Sequence, residues 1–194
     1  MPRITPKNLQ QGLPFMENLH YRKGRLDKVR ILVIHTAETP KKAGMARSIM
    51  SYNQRRKDSV SCHEAIDNKE VIAGVRPYDT SWTTGVINSY SYSWELAGRA
   101  LQTKKEWADE FNTAMLGLLA KRVAEAAVCW NIPVRKVGPL GLKMKKAGIC
   151  GHVDATLAFQ PGGHTDPGKS FPWKKFIKMV QAEVDAIRAA EVAI

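Results

Sequence analysis

The most regular apolar run is Ile31-Leu32-Val33-Ile34, opened by Arg30 and closed by His35-Thr36-Ala37-Glu38. A short, β-branched run without alternation predicts a strand buried on both faces. His35 then stands at the C-terminal end of a central strand, the sheet edge at which open α/β folds bind ligands. Residues 59–66 (SVSCHEAI) predict a second strand, Asp67-Asn68-Lys69 a turn, and residues 70–75 (EVIAGV) its hairpin partner. Residues 90–97 (YSYSWELA) alternate well enough for another strand, ended by Gly98, and residues 76–92 otherwise look like loop. Helical spacing marks three stretches: 43–56, a long helix opened by the capping box Thr103-Lys104-Lys105-Glu106 and closed before Asn131-Ile132-Pro133, and 173–190. Residues 1–29 predict an irregular arm pinned by Tyr21 and Leu26, and residues 135–149 a basic loop. The pattern is that of one mixed α/β domain over 30–194, with a central sheet of five to six strands flanked by helices.

The stretch from Cys150 to Trp173 breaks this regularity. It holds His152, Asp154, His164 and Asp166, and its part from Gly162 to Gly168 is rich in turn formers. Proline and glycine predict an ordered loop, with His152 in a loop ahead of the aspartate. Imidazoles and carboxylates gathered in a loop suit a metal site. A catalytic zinc takes two or three imidazoles, a carboxylate or thiolate, and one open position. His35, His152 and Asp166 fit, although spacing alone supports this weakly, and a strand-end histidine is more often structural.

The 194 residues are 44% apolar, enough for one globular core. Thirty Lys+Arg against 18 Asp+Glu leave a formal charge of +12. Residues 41–57 and 135–146 are basic and contain no acid, a field that draws polyanions, although a solvated surface reads equally well. No zinc-finger spacing or aromatic RNA-binding motif accompanies the charge, which argues against nucleic acid. Three cysteines without a C-x-x-C pair argue against a disulfide framework and a four-cysteine zinc site, so Cys62 and Cys150 read as structural. Neither a signal peptide nor an apolar run of membrane length is evident, so synthesis in a reducing cytoplasm without membrane insertion is expected. G-x-S-x-G and H-E-x-x-H are both missing.

Val33-Ile34-His35-Thr36, Ser59-Val60-Ser61-Cys62-His63, Trp82, Asn88, Ser93-Trp94-Glu95-Leu96-Ala97-Gly98, Gly151-His152-Val153-Asp154 and His164-Thr165-Asp166-Pro167-Gly168 with Phe171-Pro172-Trp173 follow one another in order. Together they resemble the zinc-dependent N-acetylmuramoyl-L-alanine amidases of type 2, over residues 30–173. The ending resembles amidase domains of endolysins from phages of actinobacteria. The resemblance implies one zinc per chain on His35, His152 and Asp166, with Glu95 as catalytic carboxylate. It implies His164 as oxyanion stabiliser, or as a rival ligand to Asp166, at a position where many relatives have lysine. Thr36, His63, Trp82 and Asn88 are expected to contact substrate, with a core histidine nearly as good a reading of His63. Cys62 replaces a tyrosine of phage relatives, and Thr83 replaces a histidine. The implied substrate is bacterial peptidoglycan, cut between N-acetylmuramic acid and L-alanine by a monomer released to the wall through a holin-type route. A non-catalytic recognition module of the same fold is the rival reading, disfavoured because all three ligands and Glu95 are present.

Overall fold

The structure is a computed structural model and describes residues 3–159 and 163–192. In chain order the elements are β1 (Tyr21–Arg22), β2 (Ile31–Thr36), α1 (Met45–Asn53), β3 (Glu64–Ile66), β4 (Val71–Ala73), β5 (Thr80–Ser81), a 3-10 turn (Gly85–Tyr90) and β6 (Ser91–Leu96). They continue with α2 (Lys104–Trp107), α3 (Glu110–Trp130), α4 (Pro139–Lys143), β7 (Gly148–Gly151), α5 (His152–Phe159) and α6 (Trp173–Val192). Five strands form a mixed sheet in the order β4-β3-β6-β2-β7, and β1 pairs with β5 in a separate two-stranded ribbon. Within the five-stranded sheet, the interior strand β2 is parallel to both β6 and β7, β3 is parallel to β6, and the β3–β4 hairpin is antiparallel, as is the β1–β5 ribbon.

Every residue of β2 is buried, as an apolar run without alternation requires of a strand covered on both faces. Leu32, Ile34, Tyr92, Trp94 and Leu96 belong to the larger core, with Leu116 and Val123 of α3 and Phe176 and Val180 of α6. Ile31, Val33 and Cys150 form a smaller core with Leu142 of α4 and Ala155 of α5. His35 and Glu95 continue the second set by alternation along their strands. The register places His35 directly opposite Glu95.

Several elements depart from the sequence expectation. Residues 103–130 form two helices rather than one. Thr103 makes the expected capping box, but Asp109 is a second N-cap whose side chain accepts from the Asn112 N–H at 2.8 Å, and the chain restarts there. The strand expected over 59–66 is confined to Glu64–Ile66, because residues 61 and 63 bond instead to Trp82 and Gly74. The basic loop contains α4, opened by Pro139 in its first turn, where the lost N–H costs nothing. Residues 76–92 contain β5 and the 3-10 turn. In the arm, Leu26 is exposed and pins nothing, whereas Leu9 and Val29 are buried in the larger core. Gly162, part of the predicted aspartate loop, lies outside the described residues.

A buried ion pair ties the arm and α3 to the sheet. Glu64 is fully buried, and its carboxylate accepts from Arg122 Nε at 2.9 Å, Arg122 Nη2 at 2.6 Å, Tyr92 Oη at 2.6 Å and Trp94 Nε1 at 2.8 Å. Arg122 Nη2 also donates to the Leu9 carbonyl at 2.7 Å. Burial pulls the guanidinium pKa down, and the Glu64 carboxylate outweighs it, so Arg122 stays charged.

Candidate active site

His152 is the first residue of α5, immediately after β7, and not part of a loop. The turn there is clamped by Asp154, whose Oδ2 accepts from the Gly151 N–H at 2.7 Å and from Lys136 Nζ. Asp166 comes from the following loop. Its carbonyl accepts from the Val153 N–H at 2.9 Å, which ties the loop to the start of α5. Gly151 permits that approach, since a Cβ there would lie 2.5 Å from Pro167 Cδ.

Three side chains distant in sequence thus meet at one point. Asp166 Oδ2 lies 3.1 Å from His35 Nδ1, and Oδ1 lies 3.4 Å from His152 Nδ1. One donor atom from each residue falls within 4.8 Å of the other two, and all three residues are buried. Zinc bonds of about 2.0–2.1 Å in a tetrahedron place ligand atoms about 3.3 Å apart, so the donor set fits that ion. The opposite nitrogen of His35, Nε2, meets Thr84 Oγ1 at 3.3 Å. That contact leaves Nδ1 turned toward Asp166, the orientation an outer partner gives an imidazole that could hold a metal. Thr84 escaped the sequence reading, and no spacing signal marks it.

Burial favours the neutral Asp166 carboxyl, but the His152 and His35 rings outweigh it and hold its pKa well below the usual range. Burial lowers the His152 pKa, with His35 adding to the effect and Asp166 opposing it. Glu95 lies beside the cluster, with Oε1 4.0 Å from His35 Nδ1. Burial first, then the Asp166 and Glu38 charges, push its carboxyl pKa well above the usual range. His164 stacks on His152 at 3.7 Å with an interplanar angle of 20°, and its Nδ1 is 3.7 Å from Asp166 Oδ1. Its side chain is 60% exposed, so it caps the cluster from the solvent side. Burial, and then the neighbouring His152, lower its pKa.

The cluster opens into a cleft of about 940 Å³, lined also by Thr36, Trp82 and Asn88. Asn88 is engaged within the protein: its Oδ1 accepts from the Thr83 and Thr84 N–H groups at 3.2 and 2.7 Å, which holds the turn bearing Thr84. Arg55 and Arg56 at the end of α1 also line the cleft, and sequence reasoning saw in them only charge. His63 does not line it. It is fully buried, stacked on Tyr92 at 4.1 Å, and its Nε2 accepts from Arg25 Nη2 at 2.7 Å. It is a core histidine, and the expectation that it contacts substrate is corrected by its burial. Cys62 and Cys150 are buried free thiols, as expected of structural residues.

At one end of the parallel strands, two imidazoles and two carboxylates thus gather at the floor of an open cleft, the place where open α/β sheets bind ligands, and three of these side chains could hold a metal ion. The sequence pattern of the N-acetylmuramoyl-L-alanine amidases matches residues 25–169, and the chain belongs to that family. Among solved structures, the fold is similar to that of the Staphylococcus aureus hydrolase AmiA in complex with its ligand, with a TM-score of 0.68 at 12% identity over 89% of this chain and 82% of that one. It is also similar to a mutant endolysin from Bacillus subtilis, with a TM-score of 0.59 at 12% identity over 87% and 98% of the two chains. The Clostridium intestinale endolysin and N-acetylmuramoyl-L-alanine amidase LysCS gives 0.56 at 12% identity over 88% and 96%. No curated protein matches the sequence. No described helix is long and apolar enough to cross a membrane.

Proposed function

We propose that this amidase is a zinc-dependent peptidoglycan hydrolase that cuts the amide between N-acetylmuramic acid and L-alanine, acting as a phage endolysin or its catalytic domain after holin-type release. The observation that carries the reading is the convergence of His35, His152 and Asp166 at one point, with Glu95 Oε1 4.0 Å from His35 in an open cleft. His35, His152 and Asp166 would hold the zinc. When bound, the ion supplies a Lewis acid that polarises the scissile carbonyl and acidifies water.

Glu95 faces the cleft with a carboxylate that burial and its acidic neighbours make more basic than usual. It takes a proton from the attacking water and returns it to the departing amine of L-alanine, so one group serves as base and then as acid. His164, on the exposed rim, turns a ring N–H toward the oxygen of the carbonyl as negative charge develops there. Trp82 and Thr36 line the same cleft and orient the substrate, and Asn88 acts through the turn it holds.

Glu95→Gln tests the assignment. The amide is nearly isosteric and cannot accept the proton, so zinc content and fold should persist while turnover falls by roughly 10²–10⁴. The assay is release of free amino groups from purified walls, with reducing ends counted in parallel and metal measured on the same sample. Reducing ends in place of amines would identify a glycosidase and end the amidase reading. Near-normal turnover in a zinc-replete variant would remove Glu95 from the mechanism.

A further inference from the structure

Among the described residues, Lys136 is the one cation of the basic stretch 135–146 that pairs with an acid. Its Nζ donates to Asp154 Oδ2 and to the Val137 carbonyl, the latter at 3.2 Å, and lies 4.5 Å from the centroid of the Trp173 ring. Its backbone is fixed as well. Residue 136 bridges Ile149 of β7, the Val137 N–H donates to the Ile149 carbonyl at 2.8 Å, and the Ile149 N–H donates to the Arg135 carbonyl at 2.9 Å. Lys136 therefore reaches from a strand-like segment along the edge strand β7 to the turn between β7 and α5. It does not line the cleft.

That turn carries a ligand candidate. His152 is the first residue of α5, and the first N–H groups of a helix have no partner within it. Gly151, just before the helix, has no side chain to accept from them, and none would fit: a Cβ there would lie 2.5 Å from Pro167 Cδ and 3.4 Å from Trp173 Cζ2. Two bonds hold the backbone instead. The Val153 N–H donates to the Asp166 carbonyl at 2.9 Å, and the Gly151 N–H donates to Asp154 Oδ2 at 2.7 Å. The second is half of a capping box, a carboxylate at the third helical position reaching back to the residue before the helix. Asp154 Oδ2 is also the atom that Lys136 holds, and the Asp154 side chain is only 11% exposed, which sets this pair apart from an ion pair in open water.

We propose that Lys136 is a positioning residue for the metal cluster. By fixing Asp154 it fixes the first turn of α5, and with it the His152 ring, whose Nδ1 stands 3.4 Å from Asp166 Oδ1. Metal affinity depends on donor atoms held in place before the ion arrives, and loss of an outer partner that orients a ligand lowers it by about 10–100-fold. Without the Lys136 cation, Asp154 keeps one of its two donors among the described residues, the Gly151 N–H. The carboxylate is then free to turn toward water, the turn gains alternative conformations, and His152 loses its fixed bearing. The inference rests on the zinc reading for the identity of the ion, whereas the ordering of the turn does not depend on it.

The test measures the zinc affinity of the metal-free whole protein by competition with a chromogenic chelator, and amide hydrogen exchange at Gly151 and Val153 in the same metal-free protein. Lys136→Met keeps most of the side-chain length and removes the charge. Lys41→Met is the control, because Lys41 forms the same kind of pair, at 2.6 Å with Asp109, at the start of α3. The expected result is that Lys136→Met loses about tenfold or more in zinc affinity and speeds exchange of both amides, whereas Lys41→Met leaves both nearly unchanged. Equal losses in the two variants would reduce the effect to general stability and overturn the proposal, as would unchanged affinity or unchanged exchange in Lys136→Met. Asp154→Asn should weaken zinc binding as well, and adding Lys136→Met to it should cost little more. Additive losses would mean that Lys136 acts elsewhere. With zinc saturating, KM for a soluble muropeptide should be unchanged in Lys136→Met, and a raised KM would make Lys136 a substrate contact instead. If the wild type took up no zinc, the zinc reading would fail, and amide exchange would still decide whether Lys136 orders the turn.

Discussion

Arg122→Met removes one partner of the fully buried Glu64 and keeps the aliphatic stem of the side chain. The Glu64 carboxylate then loses two of its four donors, the Arg122 contacts at 2.9 and 2.6 Å, and keeps only Tyr92 and Trp94. An uncompensated charge at such a site costs about 3–5 kcal/mol. The same change frees the Leu9 carbonyl, so the arm should loosen with it. Arg122→Lys keeps the charge but not the planar fork, and should lose about 1.5–3 kcal/mol, the worth of a hydrogen bond to a charged group. Arg47→Met is the control. Its pair with Glu70 at 3.0 Å lies at the surface, with the side chains 54% and 25% exposed, and surface pairs contribute about 0–1 kcal/mol. Urea unfolding at neutral pH, followed by tryptophan fluorescence, gives all three values if the slopes agree. A loss for Arg122→Met no larger than that for Arg47→Met would refute the claim that this pair staples α3 and the arm to the sheet.

Asp166→Ala should lose both bound zinc and activity in metal analysis of the purified protein, while His164→Ala keeps the metal; the reverse pattern would make His164 the ligand. Gly168→Ala should destabilise by at least about 1–3 kcal/mol in thermal unfolding, because φ is +93° there and a Cβ would lie 1.8 Å from the Ala100 carbonyl oxygen. Unchanged stability would show that the loop moves freely and does not fix Asp166. Burial, and then the Arg25 charge, hold the His63 imidazole well below its usual pKa. The unfolded chain therefore gains a proton below about pH 6.5 that the native state refuses. Stability from this group is complete above that pH and is lost on acidification, by at most about 1.4 kcal/mol per pH unit. His63→Gln should flatten that share of the slope in urea midpoints measured between about pH 7 and pH 5, and parallel slopes would contradict the assignment.

The buried strand β2 was legible because its signal is written locally. An unbroken β-branched run has one economical place, inside a parallel sheet, and it carries His35 to the sheet edge. The order of the short motifs, ending in HTDPG, supplied His152, Asp166 and Glu95 through resemblance, whereas spacing alone could not join residues 131 positions apart. What only the tertiary structure decided is which neighbours those residues meet. The β2–β6 register sets His35 opposite Glu95, and the Val153–Asp166 backbone bond brings the loop to α5. His63 looked like a cleft residue from its place in a motif, yet Arg25 from the arm and Tyr92 from the next strand enclose it. Arg122 lies on a helix whose pattern predicts only an apolar face, and its partner Glu64 is 58 residues away. Periodicity records which side of an element avoids water. It does not record which charged groups find one another inside, because that depends on contacts between segments far apart in the chain.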